Sequence, residues 1–157
     1  MQSRARFGSA VTLIALAACG LALATGTILA QQGGGDDSAL PEGFEVTPVL
    51  KSGKSAGGAP FSYPQTDKPE IVTATGILEP GGRTARHQHP VPVYVYVLEG
   101  QLTIEPEGGQ PREYSAGQAF IEDVNHWHQA FNRGETPTKI LIVGVSEEGQ
   151  PITVDEQ

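Results

Sequence analysis

The chain has 157 residues, about one domain's worth, and a formal net charge of −8 with only 10 Lys and Arg, too few and too scattered to build a groove that neutralises phosphates. Nucleic acid is excluded as a partner on that ground. The 12 Pro, 20 Gly and 6% aromatic content favour many short strands joined by turns over long helices, and a single cysteine excludes both an intramolecular disulfide and a thiolate cluster.

Arg4 and Arg6 precede an uncharged, mostly apolar run from Phe7 to Ala30, the basic and apolar regions of a bacterial-type export signal. The run is also long enough to cross a hydrocarbon layer of about 30 Å, so an uncleaved inner-membrane anchor is the alternative. Leu16-Ala17-Ala18-Cys19 resembles a lipoprotein signal, a third option. Residues 1–30 are therefore expected to be a signal peptide or membrane anchor. Residues 31–39, with three consecutive glycines, read as a flexible tether. The expected location is the bacterial periplasm or the extracellular space.

From Gly43 onward β-prone runs recur: Phe44–Leu50, Ile71–Leu78, Val93–Leu98, Gln101–Glu105, Ala119–Glu122, Trp127–Phe131 and Lys139–Val145. Turn clusters such as Glu79-Pro80-Gly81-Gly82, Glu99-Gly100 and Glu107-Gly108-Gly109 separate them, a spacing that predicts an all-β sandwich or barrel over residues 40–150. Residues 52–68, rich in Gly, Ser and Pro, read as a long irregular loop, and residues 151–157 as a short acidic tail. Val93–Leu98 and Ile140–Val143 are apolar on both faces, so something must cover the second side of their sheet. A second copy of the chain would do so, and a homodimer is expected.

The four histidines form two pairs, His87 with His89 and His126 with His128. Residues two apart on a strand point to the same side, so each pair can aim both rings into one cavity. Convergent imidazoles suit Fe, Mn, Zn, Ni or Cu, and ligation alone does not choose among them. Read by spacing only, each pair could equally be a polar patch on an exposed strand face.

The flanking residues carry a resemblance to the cupin family over most of residues 71–145. Gly81, five residues, His87, one residue, His89 and then Gly100 match the family's first motif, with Pro90 and Tyr96-Val97-Leu98-Glu99-Gly100 in its strand and turn. Gly117, His128 and Asn132 match the second. The resemblance implies a jelly-roll β-barrel holding a divalent ion, with ligands at His87, His89 and His128. Three-histidine sets also occur in cupin-type dioxygenases, so the resemblance implies an oxygenase-like enzyme acting on a small organic molecule. A non-catalytic metal or small-molecule binding module is the alternative.

The departures from the family pattern bear on the site. The glutamate usual after the second histidine is replaced by Val93, which leaves three neutral donors and a full 2+ charge on the ion. Asp123 and Asn125 stand where the second motif has Pro and Gly, and Asn tolerates the left-handed conformation better than most residues. His126 is a weak candidate for a general base. Glu122 could reach inward but reads more simply as an exposed carboxylate at a strand end. Trp127, Tyr94 and Tyr96 read as packing residues, and Arg83 and Arg86 as surface charges that could draw an anion towards the first histidine pair.

Overall fold

The computed structural model describes residues 42–157, so the expected signal and the tether lie outside the described residues. The described residues form nine strands and no helix. They are β1 (Pro69–Leu78), β2 (His87–Gln88), β3 (Val93–Glu99), β4 (Gln101–Pro106), β5 (Arg112–Ser115), β6 (Ala119–Ile121), β7 (His128–Phe131), β8 (Thr138–Glu147) and β9 (Val154–Asp155). They make a four-stranded sheet in the order β1-β8-β3-β6 and a five-stranded sheet in the order β5-β4-β7-β2-β9. The pairing within both sheets is antiparallel, an arrangement consistent with the expected jelly roll.

Alternation along β3 sorts its side chains. Val93, Val95 and Val97 are buried, while Tyr94 and Tyr96 point to the outer face. The inner face of the first sheet, with Phe120 and Ile140, packs against Leu102, Ile104 and Ala130 of the second. Removing a side chain of this size from water contributes about 1.5–3 kcal/mol, so this shared core is what holds the sheets together. The outer face of the first sheet is also apolar. Ile71 and Ile77 are 60% and 64% exposed there, beside half-buried Tyr94, Tyr96, Leu141 and Val143.

Several elements differ from the expectation. Phe44–Leu50 is not a strand: it pairs with nothing among the described residues, and Val46 is 67% exposed. Pro48 removes a ladder donor in its middle. The structure adds β2, β5 and β9. The first is cut short by Pro90 and Pro92, and the second is too polar to read as a strand. The third lies in residues 151–157, expected to be a tail: Asp155 pairs with His87 and Val154 with Gln88, so strand pairing runs beyond residue 150. The irregular loop of residues 52–68 is held by Asp123, whose carboxylate accepts hydrogen bonds from the Ser55 hydroxyl and, at 2.9 Å, from the Gly57 N–H.

Candidate metal centre

His87 starts β2 and His128 starts β7, and these two residues pair directly across the sheet. His89 follows one residue beyond β2. The cross-strand pair and the two-residue step along β2 bring all three rings to one spot. Centroids lie 4.4 Å apart for His87 and His128, 5.0 Å for His87 and His89, and 5.1 Å for His89 and His128. One ring nitrogen from each lies within 4.8 Å of the others, a group that could hold a metal ion.

The backbone fixes which nitrogen faces inward. His87 Nδ1 lies 2.8 Å from the Ala85 carbonyl, His89 Nδ1 2.7 Å from the Ile152 carbonyl and His128 Nδ1 3.0 Å from the His126 carbonyl. A carbonyl oxygen only accepts, so each Nδ1 must carry the hydrogen, and each Nε2 keeps its lone pair. This is the orientation that holds metal-binding imidazoles in other proteins. His128 Nε2 is buried and has no hydrogen-bond partner, as expected of a nitrogen meant for an ion. Burial also lowers the pKa of His89 and of His128 to about 4, against the hydrogen bonds that Ile152 and His126 accept from them, so both are neutral ligands at neutral pH. The residues present therefore fit a divalent ion.

His87 and His89 border a cavity of about 340 Å³ between the sheets, with apolar walls that include Val93, Val95, Leu102, Ile104 and Ile140. That volume lies in the range that small-molecule sites use, about 300–1,000 Å³. Glu122 lines it too. The carboxylate expected to be exposed at a strand end is only 6% exposed, because Glu122 continues the β6 alternation on the same face as buried Phe120. Its Oε2 lies 3.7 Å from His128 Nε2. Burial pushes its pKa up to about 8, with the Asp123 charge adding to the effect and Arg112 opposing it. Without metal the two groups are thus a neutral acid beside a neutral imidazole, rather than an ion pair.

His126 does not join the cluster. Its Nε2 bonds the Glu107 carbonyl at 3.0 Å, because His126 precedes β7 and is free of the strand's alternation. Trp127 is half-exposed under the Arg86 guanidinium, 5.3 Å from its ring centre, instead of lying between the sheets. Arg86 is also paired with Glu107 and Glu156, which occupies the charge that could have drawn an anion. Arg83 is exposed. Asn132 is a structural clasp: it is 1% exposed, and its amide donates to the carbonyls of Leu78 and Thr136. Asn125 has φ 54°, the left-handed conformation for which the sequence substitutes Asn for Gly.

Sequence reasoning passed over Glu122, although the alternation of Phe120, Ile121 and Glu122 carried the signal. The Ile152 carbonyl left no signal, since a backbone acceptor supplied from the chain's far end depends on tertiary packing alone.

Over 69 residues the chain is 35% identical to an (R)-mandelonitrile lyase from Granulicella tundricola, a stretch that covers 42% of this chain and 53% of that protein. The chain thus spans about half the length of the curated relative it matches. Among solved structures, it overlaps the DMSP lyase DddQ from Ruegeria pomeroyi with a TM-score of 0.48 at 22% identity, covering 62% of this chain and 46% of the other. It overlaps a sugar phosphate isomerase of the cupin superfamily from Silicibacter pomeroyi with a TM-score of 0.44 at 26% identity, covering 58% and 54%. Residues 74–144, a span that includes both histidine motifs, match the family model described as "Cupin domain", so this stretch of the chain is a cupin domain.

Proposed function

We propose that the protein is a metal-dependent enzyme acting on a small organic molecule, with His87, His89 and His128 holding a divalent ion at the wall of the cavity. The observation that carries this reading is the set of three imidazoles whose Nδ1 atoms are turned to backbone carbonyls, which leaves the three Nε2 atoms as free donors beside an apolar space. A bound divalent ion would supply Lewis acidity and, in the case of Fe, Mn or Cu, redox chemistry. The chain's own contribution is to exclude water through the valine, leucine and isoleucine walls, to seat the apolar part of the substrate there, and to keep the three rings from turning.

The reaction class we propose first is the oxygenase-like one that a three-histidine set supports. A lyase is the second reading, supported by the 35% identity to an (R)-mandelonitrile lyase over 69 residues. An oxygen electrode separates them. Metal-loaded protein should consume oxygen with one of a panel of small phenols, hydroxy acids and diketones. Turnover without oxygen uptake, such as cyanide release from mandelonitrile, supports the lyase. Loss of neither substrate nor oxygen supports a non-catalytic binding module.

Two further proposals complete the reading. A second copy packed on the outer face of the four-stranded sheet would cover Ile71 and Ile77, and light scattering on the purified protein should then give twice the chain mass. Export rests on Arg4, Arg6 and the apolar run after them. Intact mass of protein recovered from a bacterial host tests it, with cleavage before the glycine tether expected.

A further inference from the structure

We propose that Glu122 is the oxygen donor to the ion held by His87, His89 and His128, and so replaces, from the neighbouring strand, the carboxylate that Val93 removes from β3. The inference rests on the metal-centre reading above and adds a ligand to it.

Strand register supplies the first argument. Tyr94 pairs with Ile121, and the Glu122 N–H donates to the Val93 carbonyl at 2.8 Å, so Glu122 and Val93 are cross-strand neighbours with side chains on the same inner face. Both line the cavity that His87 and His89 border. A carboxylate lost at one position is present one strand away.

Distance supplies the second. Donors that each sit about 2.0–2.2 Å from one ion lie at most about 4.4 Å apart. Glu122 Oε2 and His128 Nε2 are 3.7 Å apart, within that span. Among the described residues the donors that all lie within 4.8 Å of one another are those of His87, His89 and His128, so a turn of the Glu122 side chain brings its carboxylate to the remaining two rings.

Charge supplies the third. Three neutral imidazoles leave the ion's full 2+ charge without compensation inside an apolar wall. Glu122, 6% exposed, is a carboxyl group whose one basic neighbour within 4 Å among the described residues is the neutral imidazole of His128. Arg112 does not serve it, since its guanidinium bonds Asp123 at 3.3 Å. A buried cation lacking an anion and a buried carboxyl lacking a cation are each costly alone, and one contact between them relieves both. The resulting set has three nitrogens and one oxygen and leaves an ion that takes five or six donors open to the cavity.

The test uses the full chain stripped of metal and titrated with Co²⁺, followed by visible absorption, for wild type, Glu122→Gln, and Glu122→Gln combined with Val93→Glu. Wild type should bind one Co²⁺ per chain. Glu122→Gln should bind it roughly 10–100-fold more weakly, with a shifted d–d spectrum and tighter azide binding, because an open position and a unit of positive charge have been restored. Val93→Glu in that background should recover the affinity and weaken azide binding. A purely structural role for Glu122 would move neither the spectrum nor the azide affinity. Wild-type Co²⁺ affinity and spectrum in Glu122→Gln overturn the inference while leaving the metal centre standing; a wild type that binds no Co²⁺ overturns both.

Discussion

The Ile152 carbonyl accepts a 2.7 Å hydrogen bond from His89 Nδ1, and the Ile152 side chain rests on Gly144, where an added Cβ would meet its Cγ2 at 2.5 Å. Gly144 lies opposite Val93 in the β3–β8 pairing, so the barrel wall is thinned where the chain's last segment must pack to reach the histidine. Replacing Gly144 with valine should push Ile152 away and release His89. We expect about tenfold weaker metal binding, together with a lower melting temperature. Unchanged metal affinity in a folded Gly144→Val protein would show that the Ile152 carbonyl does not orient His89.

The metal-free protein should have a stability maximum near pH 6.5. His89 and His128 have folded pKa values of about 4, so between 6.5 and 4 the unfolded chain binds protons that the native one does not, and stability is lost as pH falls through that window. Glu122 acts with the opposite sign. Its folded pKa of about 8 means that the native state keeps a proton the unfolded chain has released, so its contribution is lost as pH rises from 4.5 to about 8. Thermal melts from pH 4 to 9 check this, and Glu122→Gln should remove the alkaline decline selectively. A decline that persists in that variant would assign it to another group.

Asp123 joins the residue 52–68 loop to the barrel. Burial pushes its carboxyl upward, but hydrogen bonds from Ser55 and Gly57 together with the Arg112 charge outweigh this and hold it below the usual carboxylate range. Asp123→Ala should cost about 1–3 kcal/mol by stranding those donors and should open the loop to limited proteolysis before global unfolding. Wild-type proteolysis kinetics would mean that the loop is held by other contacts.

What the sequence made legible follows physical range. The β-prone run Val93–Leu98 is local, and it gave the strand, whereas its apolar character on both faces left the choice of the buried side, that of Val93, Val95 and Val97, to the packing. The resemblance carried by Gly81–His87–His89–Gly100 and Gly117–His128–Asn132 implied the three rings that converge, and the Asn125 substitution matched a left-handed turn. Failures came where a partner from elsewhere decides the outcome. Phe44, Val46 and Leu50 would share one face of a strand but find no edge among the described residues, whereas Val154 and Asp155 look like a tail and become β9 because His87 and Gln88 offer one. Glu122 was read as exposed since a charge at a strand end usually is. Its burial follows the alternation with Phe120 and is completed by β3 lying beside it, a neighbour that comes from elsewhere in the chain.

The account stands most directly on metal content. Protein purified without chelator should carry close to one divalent ion per chain by elemental analysis. Changing His87, His89 or His128 singly to alanine should reduce that to a small fraction, because each loss removes one of few donors, while His126→Ala, which removes a ring that bonds the Glu107 carbonyl and keeps the backbone carbonyl that holds His128, should leave it unchanged. A wild-type protein free of metal, or a folded His128→Ala protein that keeps its full complement, would contradict the assignment of this cluster as the metal centre.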